Sequence, residues 1–138
     1  MFLIMLHPFN NEGSSKRLLE EYKKYKTLII GFDFDNTIFD YHGNDGDYSE
    51  IVDLLKECKK LNFNLCLYTI EDRLDWKYKT CCKLGIKPDY INESPIVLES
   101  GGNKPYFNIL LDDRAGLESS YNILKNVVDY AKTEFGKH

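Results

Sequence analysis

Along the 138-residue chain, short unbroken apolar runs alternate with stretches in which apolar residues return every three or four positions. "TLIIGFD" (27–33), "FNLCLYT" (63–69) and "YFNILLD" (106–112) are runs of the first kind. They have the length and composition of strands covered on both faces. "DYIN" (89–92) is a shorter strand candidate. Helical spacing begins at Ser49, where Ile51, Val52, Leu54, Leu55, Cys58 and Leu61 share one face and Lys56, Glu57, Lys59 and Lys60 lie mostly outside it. "DRLDWKYKTCCKLG" (72–85) predicts a second helix stopped by Gly85. Leu117, Tyr121, Leu124, Val128 and Ala131 line a last one. Near the start, "NNEGSS" (10–15) reads as a loop with Ser14 or Ser15 capping the charged segment "KRLLEEYKKYK". Strands alternating with helices predict an α/β fold: a mostly parallel central sheet, helices on both faces and right-handed crossovers. With no repeat, low-complexity tract or linker, the expectation is one domain over residues 1–138, of which 1–26 form an N-terminal extension and helix.

Composition narrows this only a little. A hydrophobic content of 43% with 14% aromatics excludes a wholly disordered chain. The net charge of −4 gives no support to general coating of nucleic acid, although a local basic groove beside an acidic site stays compatible with it. The four cysteines, Cys58, Cys66, Cys81 and Cys82, form no C-x-x-C pair and have no accompanying His cluster. Free thiols in a reducing cytoplasm are therefore expected, and not a zinc site. "MFLIML" is too short for a membrane span or a signal core, and is expected to be a strand or a core-plugging tail.

The chemistry concentrates at the strand ends. "GFDFDNTIFD" places Asp33, Asp35 and Asp40 directly after an apolar run. Aspartate is a poor strand residue. Two carboxylates roughly 4 Å apart repel by about 4 kcal/mol at an effective dielectric of about 20. In parallel sheets the ligand sits beyond the carboxyl ends of the strands, and there the chain also offers Thr69 and the pair Asp112-Asp113, with Lys104 just before the last strand. An oxygen-only cluster of this kind suits Mg²⁺. A metal and a lysine would neutralise a phosphoryl group so that Asp33 can attack phosphorus. Asp35 would protonate the leaving oxygen and then deprotonate water, while Thr69 and nearby N–H groups hold phosphoryl oxygens. An EF-hand starting at Asp33 fails, because Ile38 and Asn44 occupy its required glycine and final acid positions. A receiver-like phosphoacceptor also uses Asp, Thr and Lys on a parallel sheet, but carries its acidic pair on the first strand.

"DFDNT" resembles the D-x-D-x-T signature of the haloacid dehalogenase superfamily of phosphohydrolases. Thr69 in "LYTI", Lys104 in "GGNKPY" and "LLDDR" (110–114) match that superfamily's later motifs in order, over about residues 28 to 114. The resemblance implies Asp33 as nucleophile, Asp35 as acid/base with its backbone carbonyl on Mg²⁺, and Thr69 and Lys104 on phosphate. Asp113 is implied as the metal ligand, with Asp112 behind it orienting Lys104. Within the superfamily the chain is most similar to small deoxyribonucleotidases and polynucleotide-end phosphatases. A nucleotide or a nucleic-acid end is thus the implied substrate, with a phosphoprotein or a sugar phosphate as alternatives. A second alternative is a phosphate- or Mg²⁺-binding module without turnover.

Only residues 38–48 precede the next helix, too few for a helical cap, so an open site is expected, admitting a bulky substrate or completed by a second subunit. Arg73 is the candidate substrate clamp. Asp40 and His42 sit on the adjoining loop, Lys87 is a rival to Lys104, and Arg114 reads as a surface or capping group. Trp76, Tyr78, Cys81 and Cys82 read as helix packing.

Overall fold

The protein is described by a computed structural model covering residues 9–41, 43, 46–96 and 106–135. Four strands and four helices are found among these residues: α1 (Asn11–Tyr25), β1 (Ile29–Phe32), α2 (Ser49–Lys60), β2 (Asn64–Leu67), α3 (Leu74–Lys83), β3 (Tyr90–Ile91), β4 (Ile109–Leu111) and α4 (Leu117–Phe135). The sheet runs β3-β2-β1-β4 with every pairing parallel. This is the α/β fold that the alternation of runs predicts.

Register explains the core. Ile30 pairs with Leu65 and Ile109, and Phe32 with Leu67 and Leu111. Residues paired this way point to the same face of the sheet. That face joins Leu55 and Cys58 of α2 and Leu124, Val128 and Ala131 of α4 in one buried cluster. Each such large side chain contributes about 1.5–3 kcal/mol on leaving water. On the opposite face Gly31 admits the ring of Phe107, where a Cβ would lie 2.6 Å from it. Phe107 in turn meets Tyr68, centroid to centroid, at 5.6 Å.

Asn108 locks the start of β1. Its buried Oδ1 accepts the Ile29 N–H at 2.6 Å, and its Nδ2 donates to Glu21 of α1 at 2.8 Å. Tyr22 meets the rings of Phe63 and of Tyr130 at 5.8 and 6.3 Å between centroids, the second contact linking α1 to α4.

Several local expectations change. α1 begins at Asn11, not after Ser14 or Ser15, because Asn10 is itself the cap: its side chain accepts from the N–H groups of Glu12 and Gly13. The last strand is shorter than the apolar run, spanning only Ile109–Leu111, although the Asn108 backbone N–H still donates to the Ile29 carbonyl at 2.8 Å. On α3, Cys81 is buried but the adjacent Cys82 is exposed, a step of 100° around the helix. Gly85 does end that helix, with φ at 83°. "MFLIML" lies outside the described residues. No described helix is long and apolar enough to cross a membrane.

Candidate active site

Phe34 organises the first part of the site. It is fully buried, stacks on Phe39 at 5.3 Å and meets Trp76 edge-on at 5.4 Å. With Phe34 pinned inward, Asp33 and Asp35 on either side of it line a cleft at the end of the sheet. The Phe34 carbonyl accepts the N–H groups of Ile38 and Phe39 at 3.1 Å each, and Asn36 takes a left-handed φ of 58°, so the chain turns at once. Asparagine tolerates that conformation better than most side chains. Thr37 is fully buried for a different reason. Its Oγ1 accepts the Asp113 N–H at 3.2 Å, tying the turn after β1 to the end of β4.

This tie helps hold the two acidic ends together. Asp33, Asp112 and Asp113 each bring a carboxylate oxygen within 4.8 Å of the others. Asp33 Oδ1 accepts the Phe34 N–H at 2.7 Å, which favours the ionised form. Burial, reinforced by the charges of Asp112, Asp113 and Asp35, outweighs that bond and pushes the Asp33 carboxyl up to about 6. Asp113 is also raised, through burial and then through its hydrogen bond to Asp112 and that neighbour's charge. Asp112 Oδ1 meanwhile accepts the Arg114 N–H at 2.9 Å. Asp35 is not one of the three, but its Oδ1 is buried and has no hydrogen-bond partner among the described residues. A buried oxygen in that condition is costly unless something meets it. Three carboxylate oxygens that repel one another, beside a fourth carboxylate with one unpartnered oxygen, could hold a metal cation.

The end of β2 has a different character. The Thr69 N–H donates to Asn92 Oδ1 at 2.8 Å, and the Asn92 N–H donates to the Leu67 carbonyl at 2.7 Å, so the residue after β3 fixes the residue after β2. Asn92 holds a left-handed φ of 54° to do this. Lys77 reaches back from α3. Its Nζ donates to Thr69 Oγ1 and to the Ile70 carbonyl, both at 3.1 Å, and lies 5.9 Å from the centre of the Phe34 ring. Lys77 is only 1% exposed, yet it lines the cleft.

The cleft has a volume of about 590 Å³ and is open to solvent. Tyr41, Tyr68 and Ile70, all exposed, line it together with Arg73 and Arg114. The Arg73 guanidinium lies 4.8 Å from the centre of the Trp76 ring.

No protein-family model matches the chain, and neither does any curated protein. Among solved structures it is similar to a conserved protein from Bacteroides thetaiotaomicron, with a TM-score of 0.58 and 21% identity, over 72% of this chain and 91% of that one. Identity at that level carries the likeness of fold and nothing further.

Of the residues expected at the site, Asp33, Asp35, Thr69, Arg73, Asp112 and Asp113 all line one cleft. Lys104 and His42 lie outside the described residues. Lys87 is exposed and away from the cleft. Asp40 accepts the Gly46 N–H and does not line the cleft either. Trp76 packs as expected, against Phe34 and Phe39. Arg114, expected only at the surface, is exposed but borders the cleft. Sequence reasoning missed Lys77 and Asn92. For Lys77 a signal existed: Leu74, Lys77, Cys81 and Leu84 follow helical spacing, so the lysine interrupts an apolar stripe.

Proposed function

We propose that the protein is a Mg²⁺-dependent phosphomonoester hydrolase of the haloacid dehalogenase type, working through an aspartyl-phosphate on Asp33. The observation that carries the reading is the meeting of Asp33, Asp112 and Asp113 beside the orphaned, buried oxygen of Asp35. Asp33, Asp113 and Asp112, with the Asp35 carbonyl, would hold the metal, which supplies neutralisation of phosphoryl charge when bound.

The chain's own groups then have distinct tasks. Asp33 Oδ attacks phosphorus, and the bond from phosphorus to the ester oxygen breaks. Asp35 gives its proton to that departing oxygen, so the alcohol leaves neutral. Water next attacks phosphorus, Asp35 takes the water's proton, and the bond to Asp33 breaks to release phosphate and restore the carboxylate. Thr69, fixed through its N–H by Asn92, holds a phosphoryl oxygen. A turn that buries Phe34 between two acids suits this division, since attacking and proton-transferring carboxylates flank one anchored ring.

The rim bears on the substrate. Tyr68 is 41% exposed and Tyr41 54%, and with Arg73 they give the cleft aromatic and cationic surfaces that a nucleotide or a nucleic-acid end can use. Only residues 33–48 join β1 to α2, which leaves room for a bulky substrate in place of a cap. A panel of nucleoside monophosphates, 3′-phosphorylated oligonucleotides, phosphopeptides and sugar phosphates, assayed with and without Mg²⁺, tests the substrate. Asp33→Asn tests the chemistry: turnover should fall by about a thousandfold or more. A variant that keeps a near-normal rate would end this assignment.

A further inference from the structure

We infer that Tyr68 is the specificity-determining residue of the cleft, selecting monoesters whose alcohol carries a planar ring, as a nucleoside does. The inference rests on the reading of Asp33 as phosphoryl acceptor, and concerns what stands beside that acceptor.

The sheet register places Tyr68. Gly31 pairs with Cys66 of β2 and Leu110 of β4, so these three share one face. The ladder runs on past the strands: the Asp33 N–H donates to the Leu111 carbonyl and the Tyr68 N–H to the Phe32 carbonyl, both at 2.9 Å. Two residues beyond the row of Gly31, Asp33 therefore stands between Tyr68 and Asp112, with about 4.8 Å from strand to strand. All three line the cleft. A group esterified to a phosphate at Asp33 thus has the acids of β4 to one side and the Tyr68 ring to the other.

That ring is anchored but not covered. Gly31 leaves room for Phe107 against the sheet, and Phe107 meets Tyr68 at 5.6 Å between centroids, with the ring planes at 62°. Cys66, two residues earlier on the same face, is fully buried, whereas Tyr68 stays 41% exposed. A fixed aromatic ring with open surface stacks well on another flat ring, since the contact needs no set pattern of hydrogen bonds.

Size and chemistry agree. At about 590 Å³ the cleft falls within the roughly 300–1,000 Å³ of sites that take drug-sized molecules, far more than a bare phosphate needs. Of the neutral side chains lining it, Tyr41, Tyr68 and Ile70 present mostly carbon, which leaves Asn36 and Thr69 as the small hydrogen-bonding groups. A polyhydroxylated sugar would find few partners for its hydroxyls there. An aliphatic chain would gain no stacking. A nucleobase gains the face of Tyr68 and keeps its polar edge toward water through the open mouth.

The test compares 2′-deoxyadenosine 5′-monophosphate with 2-deoxyribose 5-phosphate, which carry the same ester and differ by the base. Their kcat/KM values are measured for wild type, Tyr68→Ala, Tyr68→Phe and Tyr25→Ala, Tyr25 being exposed but away from the cleft. Wild type should prefer the nucleotide at least tenfold. Tyr68→Ala should lower kcat/KM for the nucleotide about tenfold and leave the sugar phosphate within about threefold, while Tyr68→Phe and Tyr25→Ala keep the preference. Equal use of the two esters by wild type, or a preference for the sugar phosphate, would overturn the inference. So would a preference that survives in Tyr68→Ala, or an equal loss on both esters, which would make Tyr68 a support of the cleft and no more.

If neither ester turns over, calorimetric titration of the same two compounds in MgCl₂ decides by the same criteria. Should Tyr68→Ala fail to fold, the ring protons of Tyr68 in wild type decide by nuclear magnetic resonance. They should move upfield on adding the nucleotide and not the sugar phosphate, and unmoved signals contradict the inference. A protein that binds with this preference yet hydrolyses no monoester would lose the hydrolase reading alone.

Discussion

Across the cleft, the ends of β1 and β4 crowd three carboxylates together, whereas the end of β2 and helix α3 keep one buried ammonium on neutral oxygens. Either arrangement alone is unfavourable. The acids repel and sit partly out of water, and the amine is buried with no ion pair among the described residues. Both groups line one cleft, yet Lys77 forms no ion pair with Asp33: Thr37 ties the turn after β1 to Asp113, and Asn92 fixes Thr69, to which Lys77 donates. Charges of opposite sign left unpaired at one cleft are useful to a ligand that can bridge them. The difference between the two sides is therefore the best evidence about what enters.

The comparison can be broken first on its acidic side. Asp113→Ala removes one of the three clustered carboxylates, so the Mg²⁺ concentration needed for half-maximal activity should rise at least about tenfold. Asp40→Ala, on the loop outside the cleft, should leave it nearly unchanged. Equal effects in a metal titration would mean that the cation is held elsewhere.

A smaller effect should come from pH. Raised to about 6, the Asp33 carboxyl binds a proton in the folded protein over a range where the unfolded chain has already lost it. For the metal-free protein this group's contribution to stability is present below about pH 4 and is lost as pH rises through about 6. Mg²⁺ competes with that proton, so its apparent affinity should fall by about tenfold on going from pH 7.5 to pH 5. Thermal melts in EDTA and in MgCl₂ at the two pH values check both signs. The rise in Tm caused by Mg²⁺ should be larger at pH 7.5, and an equal rise at both would show that Asp33 does not share the cation.

Much of this was legible in the sequence because it depends on single residues with strong preferences. The apolar runs became β1, β2 and β4, since Ile30, Phe32, Leu65, Leu67 and Leu111 have nowhere to go but the core. The acids at 33, 35, 112 and 113 reached one cleft because parallel strands end on the same side of a sheet. The misses involve residues whose role is decided by distant partners. Lys77 stands out only as a break in an apolar stripe, and what it reaches is decided by Thr69 and Phe34, which precede its helix. Asn92 and Asn108 look like loop residues, yet one bonds Thr69 and the other the first strand. Asn10 displaced Ser14 as a helix cap because asparagine caps as well as serine and comes first in the chain.

The most direct measurement is a crystal structure of the protein with Mg²⁺ and beryllium fluoride, a mimic of the phosphoryl group. The account predicts beryllium bonded to Asp33 Oδ, the cation on Asp33 and Asp113, and a fluorine within hydrogen-bond distance of Thr69 Oγ1 and Lys77 Nζ. A fluoride complex bound away from Asp33, or a cation that leaves Asp113 untouched, would contradict it.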